Sequence, residues 1–265
     1  MPQNKGLHGK SALITGGGQG IGLAIATRLA QAGASVAIAD IAPGVLKPAL
    51  AQLRAIGRPV LGLDTDVTQP KAVLRMADAV AKEFGRLDIL VHNASHHHNS
   101  SIADLPLVKW EAIRAVNLDA MFYTAQAVLP HMRRQHSGAI IGISSSAAVP
   151  NPRSTVAYGA VKAGLERFLL GLSYEVQKDG ISVNGIRIER AVDSPTARHW
   201  FKTDGRPKGW LPPEVVAESA LWVVEQGIAC TTNIFRLADL RTRMPAVDAI
   251  FRATDGKSPR RRRER

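Results

Sequence analysis

The chain has 265 residues, 45% hydrophobic and 21% charged, with 23 glycines and 15 prolines. Those proportions exclude a collagen-like, disordered or disulfide-scaffold protein, and the lone Cys230 excludes an intrachain disulfide. No apolar run approaches the roughly 18 residues of a membrane span. The opening MPQNKGLHGK lacks the apolar core of a signal peptide, so a cytoplasmic protein is expected. Of the net charge of +12, the tail Lys257–Arg265 carries +5. That tail has nothing apolar to bury and reads as a basic disordered segment, residues 257–265. Solvation is its ordinary fate; binding of nucleic acid or another polyanion through its arginines is the sharper reading, and the less favoured one.

Strand and helix signals alternate along the chain. Ser11–Thr15 reads as a buried strand, followed by a glycine-rich turn. Ile21–Gln31 has helical spacing, with Ile21, Ile25 and Leu29 on one face. Ser35–Ala39 is a strand closed by Asp40, and Val45–Ile56 a helix. Val60–Leu63 is strand-like, Ala72–Phe84 helical, and Leu87–Val91 a fourth strand. Leu105–Met132 reads as one long helix, Ala139–Ile143 as a strand, Val156–Val176 as a helix and Ile181–Ile186 as a strand. Glu214–Glu225 is helical and Asn233–Leu237 a last strand. Such repetition predicts α/β architecture: one doubly wound parallel sheet of about seven strands, helices on both faces, within residues 1–256. The polar, Pro/Gly-dotted stretch Ala191–Pro213 reads as a lid or substrate loop.

The turn Thr15-Gly16-Gly17-Gly18-Gln19-Gly20-Ile21-Gly22 lies between the first strand and the first helix. Glycines let a backbone approach a pyrophosphate, and a helix N-terminus presents unpaired N–H groups to it. Alone, such a turn is equally a tight connection, and Asp40 alone is equally a cap. Together, with Asp40 about 20 residues on, they point to a dinucleotide whose adenosine ribose hydroxyls Asp40 accepts. A carboxylate there repels a 2′-phosphate by about 4 kcal/mol at roughly 4 Å and an effective dielectric near 20. Neither Gln19 nor Ile41 supplies a compensating cation, so NAD is expected over NADP.

Tyr158 and Lys162 are four residues apart and share a helix face. Such a pair is usually a surface pair. Ser145 changes the reading: it ends the fifth strand, on the sheet edge where doubly wound folds bind ligands. Ser144 and Ser146 flank it, but strand alternation turns Ser144 the other way.

These residues, with Asp66-Val67, Asn93-Ala94 and Asn117, make the chain resemble the short-chain dehydrogenase/reductase family over about residues 7–237. The resemblance implies a Rossmann-like fold. The cofactor site it implies comprises Gly16, Gly18, Gln19, Gly20, Ile21, Gly22, Asp40, Ile41, Asp66, Val67, Asn93 and Ala94, with Tyr158 and Lys162. Tyr158 would be the general acid/base, and Lys162 would favour its phenolate and hold the nicotinamide ribose. Ser145 would bond the reacting oxygen. Asn117 would hold a helix position open for a water linking Lys162 to solvent. Asp66 would bond the adenine amino group, and Asn93 would secure the floor of the site. The implied reaction is hydride transfer between NAD(H) and a small-molecule secondary alcohol or ketone. A homodimer or homotetramer, paired through the helices after strands four and five, is also implied.

Three departures from the family pattern stand out. Ser95 follows Asn93-Ala94 where glycine is usual, and leads into His96-His97-His98-Asn99. That loop is read as substrate-facing or solvated rather than as a metal site. The usual Pro-Gly after strand six is replaced by Ile188-Glu189, leaving Ser194 or Thr196 to meet the nicotinamide carboxamide. A late Gly-Gly is replaced around Ala238-Asp239. A sensor or scaffold that binds dinucleotide without catalysis is the rival reading. Arg153, Arg190, Arg198, Lys202, Arg206 and Lys208 flank the substrate loops, either to meet an anion or as solvated charge.

Overall fold

Seven short runs of apolar, largely β-branched residues form the strands. In chain order they are β1 (Ser11–Thr15), β2 (Ser35–Asp40), β3 (Val60–Asp64), β4 (Ile89–His92), β5 (Gly138–Ser145), β6 (Ile181–Ile188) and β7 (Asn233–Arg236). They form one sheet in the order β3-β2-β1-β4-β5-β6-β7, every pair parallel. The computed structural model describes residues 6–150 and 156–256. Arg153 and the basic tail lie outside the described residues.

The helices are α1 (Gly20–Gln31), α2 (Pro43–Arg54), α3 (Pro70–Phe84), α4 (Leu107–Arg114), α5 (Ala120–Gln135), α6 (Val156–Val176), α7 (Pro195–Phe201), α8 (Glu214–Gln226), α9 (Leu237–Arg243) and α10 (Pro245–Thr254). A parallel sheet is covered on both faces, so the central strands bury apolar residues on both. Ala12, Ile14, Val36, Ile38, Ile89, Val91, Ile141 and Ile143 join one core with Ile25 and Leu29 of α1 and Val216 and Ala220 of α8. Leu13, Ala37, Leu90 and Ile140 point the other way, against Val73 and Val80 of α3, Met121 and Val128 of α5 and Leu165 and Leu169 of α6.

The expected doubly wound fold is therefore present, in a single domain. The order in which strands are added switches sides between β1 and β4, which leaves a crevice beyond their carboxyl ends. Three elements differ from the sequence expectation. The long helix is broken by a π-helical turn at Ala115–Asp119. The stretch 191–213 contains α7, and its two ends are tied by a parallel bridge between Val192 and Leu211. Leu237 begins α9 instead of ending β7, and α10 follows it.

His92, at the carboxyl end of β4, is 1% exposed. Its Nδ1 meets Thr124 Oγ1 at 3.4 Å, and its Nε2 has no hydrogen-bond partner among the described residues. Burial, reinforced by the charge of Lys162, pushes its pKa from 6.5 down to about 3. Between those values the unfolded chain takes up a proton that the folded chain refuses, so acid favours unfolding. Thermal or urea unfolding should show His92 contributing about 2 kcal/mol of stability loss between pH 7 and pH 5. His92→Asn should have a visibly shallower acid limb; equal slopes would refute this account.

Candidate active site

The turn after β1 is built around positions without room for a side chain. Gly16 has φ +60°, and a Cβ on Gly22 would lie 2.1 Å from the Gly16 carbonyl oxygen. A Cβ on Gly18 would meet Val45 at 2.4 Å. Asn93 pins the turn from the neighbouring strand: its Nδ2 donates to the carbonyls of Thr15 at 3.0 Å and Gly16 at 2.9 Å. The backbone N–H groups of Asn93 and Ala94 both donate to Thr15 Oγ1 at 3.1 Å. Gln19 precedes α1 without a side-chain cap, so Ile21, Gly22 and the rest of the first turn open onto the crevice uncapped.

Asp40 closes β2 beside this turn. Its Oδ2 accepts from Gly18 N at 3.1 Å and its Oδ1 from Ala42 N at 3.2 Å. Each carboxylate oxygen accepts two bonds, so these contacts orient Asp40 without exhausting it. The next residue, Ile41, is 64% exposed. On the adjacent strand end, Asp66 Oδ1 accepts from the backbone and hydroxyl of Thr68 at 2.9 and 2.7 Å, and Val67 is buried. The sheet thus brings Gly16–Gly22, Asp40, Asp66-Val67 and Asn93-Ala94 to one edge.

Tyr158 and Lys162 lie on successive turns of α6. Lys162 is buried, and its Nζ donates to the Ile143 carbonyl of β5 at 3.0 Å. Nζ stands 5.5 Å from the Tyr158 ring centroid. Loss of water lowers the Lys162 pKa to about 8, against the opposing pull of Glu166. Burial raises the Tyr158 phenol, only partly countered by its contact with Ser95. Among the protein's own groups, burial therefore outweighs the phenolate stabilisation expected from Lys162.

Ser145 and Ser144 diverge as strand geometry requires. Ser145 Oγ accepts from Ala147 N at 3.2 Å, at the crevice. Ser144 Oγ donates to buried Glu166 at 2.7 Å, where Arg187 also binds with two nitrogens. Asn117 sits in the π turn, wholly buried. Its Nδ2 donates to the carbonyls of His96 at 2.6 Å and Ile113 at 2.8 Å, and its Oδ1 accepts from Ser95 Oγ at 2.8 Å. Asn117 thus ties the loop after β4 to the helix, and Ser95 Oγ stands 3.4 Å from the Tyr158 hydroxyl.

Two further residues lie near Tyr158: His97, from the histidine loop singled out in the sequence, and Trp200, which has no sequence signature. The His97 ring meets Tyr158 edge-on, centroids 4.7 Å apart, and Trp200 of α7 covers His97 at 4.1 Å. The His97 pKa is lowered to about 4, first by burial, so its ring is neutral near pH 7. Ser194 caps α7 by accepting from Ala197 N at 3.1 Å and lies against Gly20; Thr196 is exposed. Among the described residues, no group of three or more His, Cys, Asp and Glu is arranged to hold a metal.

Residues 10–204 match the family model described as short chain dehydrogenase. An uncharacterized oxidoreductase of Staphylococcus aureus (strain USA300) is 34% identical over 220 residues, covering 83% of this chain and 93% of the relative. The D-beta-hydroxybutyrate dehydrogenase of Rhizobium meliloti (strain 1021) is 33% identical over 214 residues, covering 80% and 83%. Among solved structures, a short-chain type dehydrogenase/reductase from Mycobacterium marinum superposes with a TM-score of 0.78 at 29% identity, covering 87% of this chain and 94% of the other.

The contact distances at the turn predict a stability effect. Gly22→Ala must displace the Gly16 carbonyl or the start of α1. Overpacking of this kind costs about 1–3 kcal/mol. A clear fall in unfolding midpoint is expected by calorimetry; an unchanged midpoint would show that the turn yields freely.

Proposed function

The chain belongs to the short-chain dehydrogenase family, and from that premise we propose that it is an NAD-dependent oxidoreductase interconverting a secondary alcohol and a ketone. The observation that carries the proposal is Lys162. It is a buried amine held by the Ile143 carbonyl, with Tyr158 one helical turn away at the mouth of the crevice. A purely structural lysine gains nothing from that desolvation.

In alcohol oxidation the Tyr158 hydroxyl oxygen, as phenolate, takes the substrate's hydroxyl proton. In ketone reduction it returns one. Lys162 stabilises the phenolate and holds the nicotinamide ribose. Ser145 Oγ donates to the reacting oxygen and fixes its distance from Tyr158. Asn117 holds Ser95 and His96 in place beside Tyr158, while Asn93 holds the glycine turn open. Bound NAD supplies the hydride acceptor, and NADH the donor. Ser194, next to Gly20, suits the nicotinamide carboxamide better than exposed Thr196. The name of the Rhizobium relative gives D-beta-hydroxybutyrate, a secondary alcohol, which supports the substrate class.

The preference for NAD rests on Asp40, beside the turn at the adenosine end of the crevice. Residues on the π-helical turn, α5 and α6 support a homodimer or homotetramer. Leu118, Phe122, Tyr123 and Phe168 line an open apolar groove there, and Phe122 is 48% exposed. No described helix is long and apolar enough to cross a membrane. A cytoplasmic location remains part of the proposal, as does a small-molecule substrate in preference to nucleic acid.

Tyr158→Phe should retain NAD binding by calorimetry and lose about 10²- to 10⁴-fold in turnover. Retention of more than about half the turnover would remove Tyr158 from its role. Asp40→Ala should weaken NAD roughly ten- to a hundredfold, the loss of a charged hydrogen bond of about 1.5–3 kcal/mol. It should also shift the kcat/KM ratio towards NADP. An unchanged ratio would make Asp40 a turn residue only.

A further inference from the structure

Three rings meet at the substrate side of Tyr158. His97 touches Tyr158 at 4.7 Å and Trp200 at 4.1 Å, and Trp200 reaches Tyr158 edge-on at 6.5 Å. A substrate oxygen within hydrogen-bond reach of the Tyr158 hydroxyl brings the groups on its reacting carbon alongside these rings. The wall they offer is aromatic, with the His97 and Trp200 planes tilted by 36° to each other and both nearly perpendicular to the Tyr158 ring.

Two of the cations that flank it are already committed. Arg198, two residues before Trp200, forms a two-pronged pair with Asp193 at 2.6 and 2.7 Å. Arg190 binds Asp255 at 2.7 Å and the Gly209 carbonyl. Two arginines that the sequence offers for an anionic substrate are therefore neutralised by carboxylates. The imidazole of His97 is neutral near pH 7 as well.

Trp200 is also held in place. The segment that carries it is tied at its stem by Asp193 N to the Leu211 carbonyl and by Leu211 N to the Ala191 carbonyl, both at 2.8 Å. Phe201 packs edge-on against Trp210 at 5.2 Å, across the same segment. An indole mounted on a tethered helix keeps its place between turnovers, as selection by ring contact requires.

Resting on the proposed alcohol–ketone chemistry, we infer that His97 and Trp200 form an aromatic clamp over Tyr158, selecting uncharged substrates with an aryl ring next to the reacting carbon. Offset or edge-on contact with two rings favours a flat π-surface over a flexible alkyl chain. Each such pair contributes about 0.5–1.5 kcal/mol beyond area burial.

The test uses the full chain with NAD. Probes are 1-phenylethanol and 2-octanol, which have equal carbon counts, with xylitol as the polyol and 3-hydroxybutyrate as the anion. Expected is a kcat/KM for 1-phenylethanol roughly tenfold above that for 2-octanol, and above both other probes. Trp200→Ala and His97→Ala should each shrink the aryl/alkyl ratio about three- to tenfold through KM, with Trp200→Phe restoring most of it. Saturation-transfer NMR of acetophenone against 2-octanone on the NAD-loaded protein reads the clamp without turnover. Aryl binding lost in Trp200→Ala upholds the clamp even if no alcohol is oxidised, an outcome that would defeat only the proposed reaction. Equal affinity for both ketones, a ratio unmoved by Trp200→Ala, or superior use of the polyol or the anion overturns the inference.

Discussion

A primary amine buried beneath a phenol is costly to hold, and much of this site depends on holding it. Lys162 donates to the Ile143 carbonyl, so its position depends on the separation of α6 and β5. One helical turn further along, Glu166 fastens the same helix to the sheet. It accepts from Ser144 on β5 and from Arg187 on β6, residues that lie side by side in the β5–β6 register. Removing one member of a buried ion pair is strongly destabilising because it strands the other charge. The Glu166–Arg187 pair therefore fixes the helix that presents Tyr158 and Lys162. It lies on the side of β5 away from the crevice, out of the way of substrate.

The strands were legible because each is a short apolar run with punctuation at both ends, and the helical spacing up to Val176 was legible in the same way. The glycine turn could be read from spacing because sterics admit little else at Gly16 and Gly22. Other parts had no local signature. A π-helical turn leaves the apolar pattern of a helix nearly intact, so Ala115–Asp119 is invisible in the sequence although it positions Asn117. Trp200 sits in a polar, proline-dotted stretch, and only the folding-back of that stretch brings it to His97. Ser95 was visible as an irregularity, but its bond to Asn117 depends on how the loop after β4 crosses the helix.

The two C-terminal departures from the family pattern make sense together. Glu189, which stands just past the end of β6, accepts from the backbone N–H of Ala238 at 3.3 Å and faces Arg236 at 3.7 Å. Arg236 in turn binds Asp239 through two nitrogens. The altered segment after β6 and the altered segment after β7 are therefore partners in one exposed polar cluster. The altered segment after β6 adjoins the site through its backbone, since Ile188 stands opposite Ser145 in the β5–β6 register, while the Glu189 side chain turns to Arg236.

The parallel bridge between Val192 and Leu211 separates two kinds of sequence freedom. Below it, Leu211 and Val192 are buried in the sheet-side core, and change is constrained by packing. Above it, residues 193–210 form a closed excursion whose two ends are already joined, so its length and content can vary without moving β6 or α8. Under the proposed function, exchange of that excursion would place a different wall beside Tyr158 while leaving the sheet and the glycine turn unaltered.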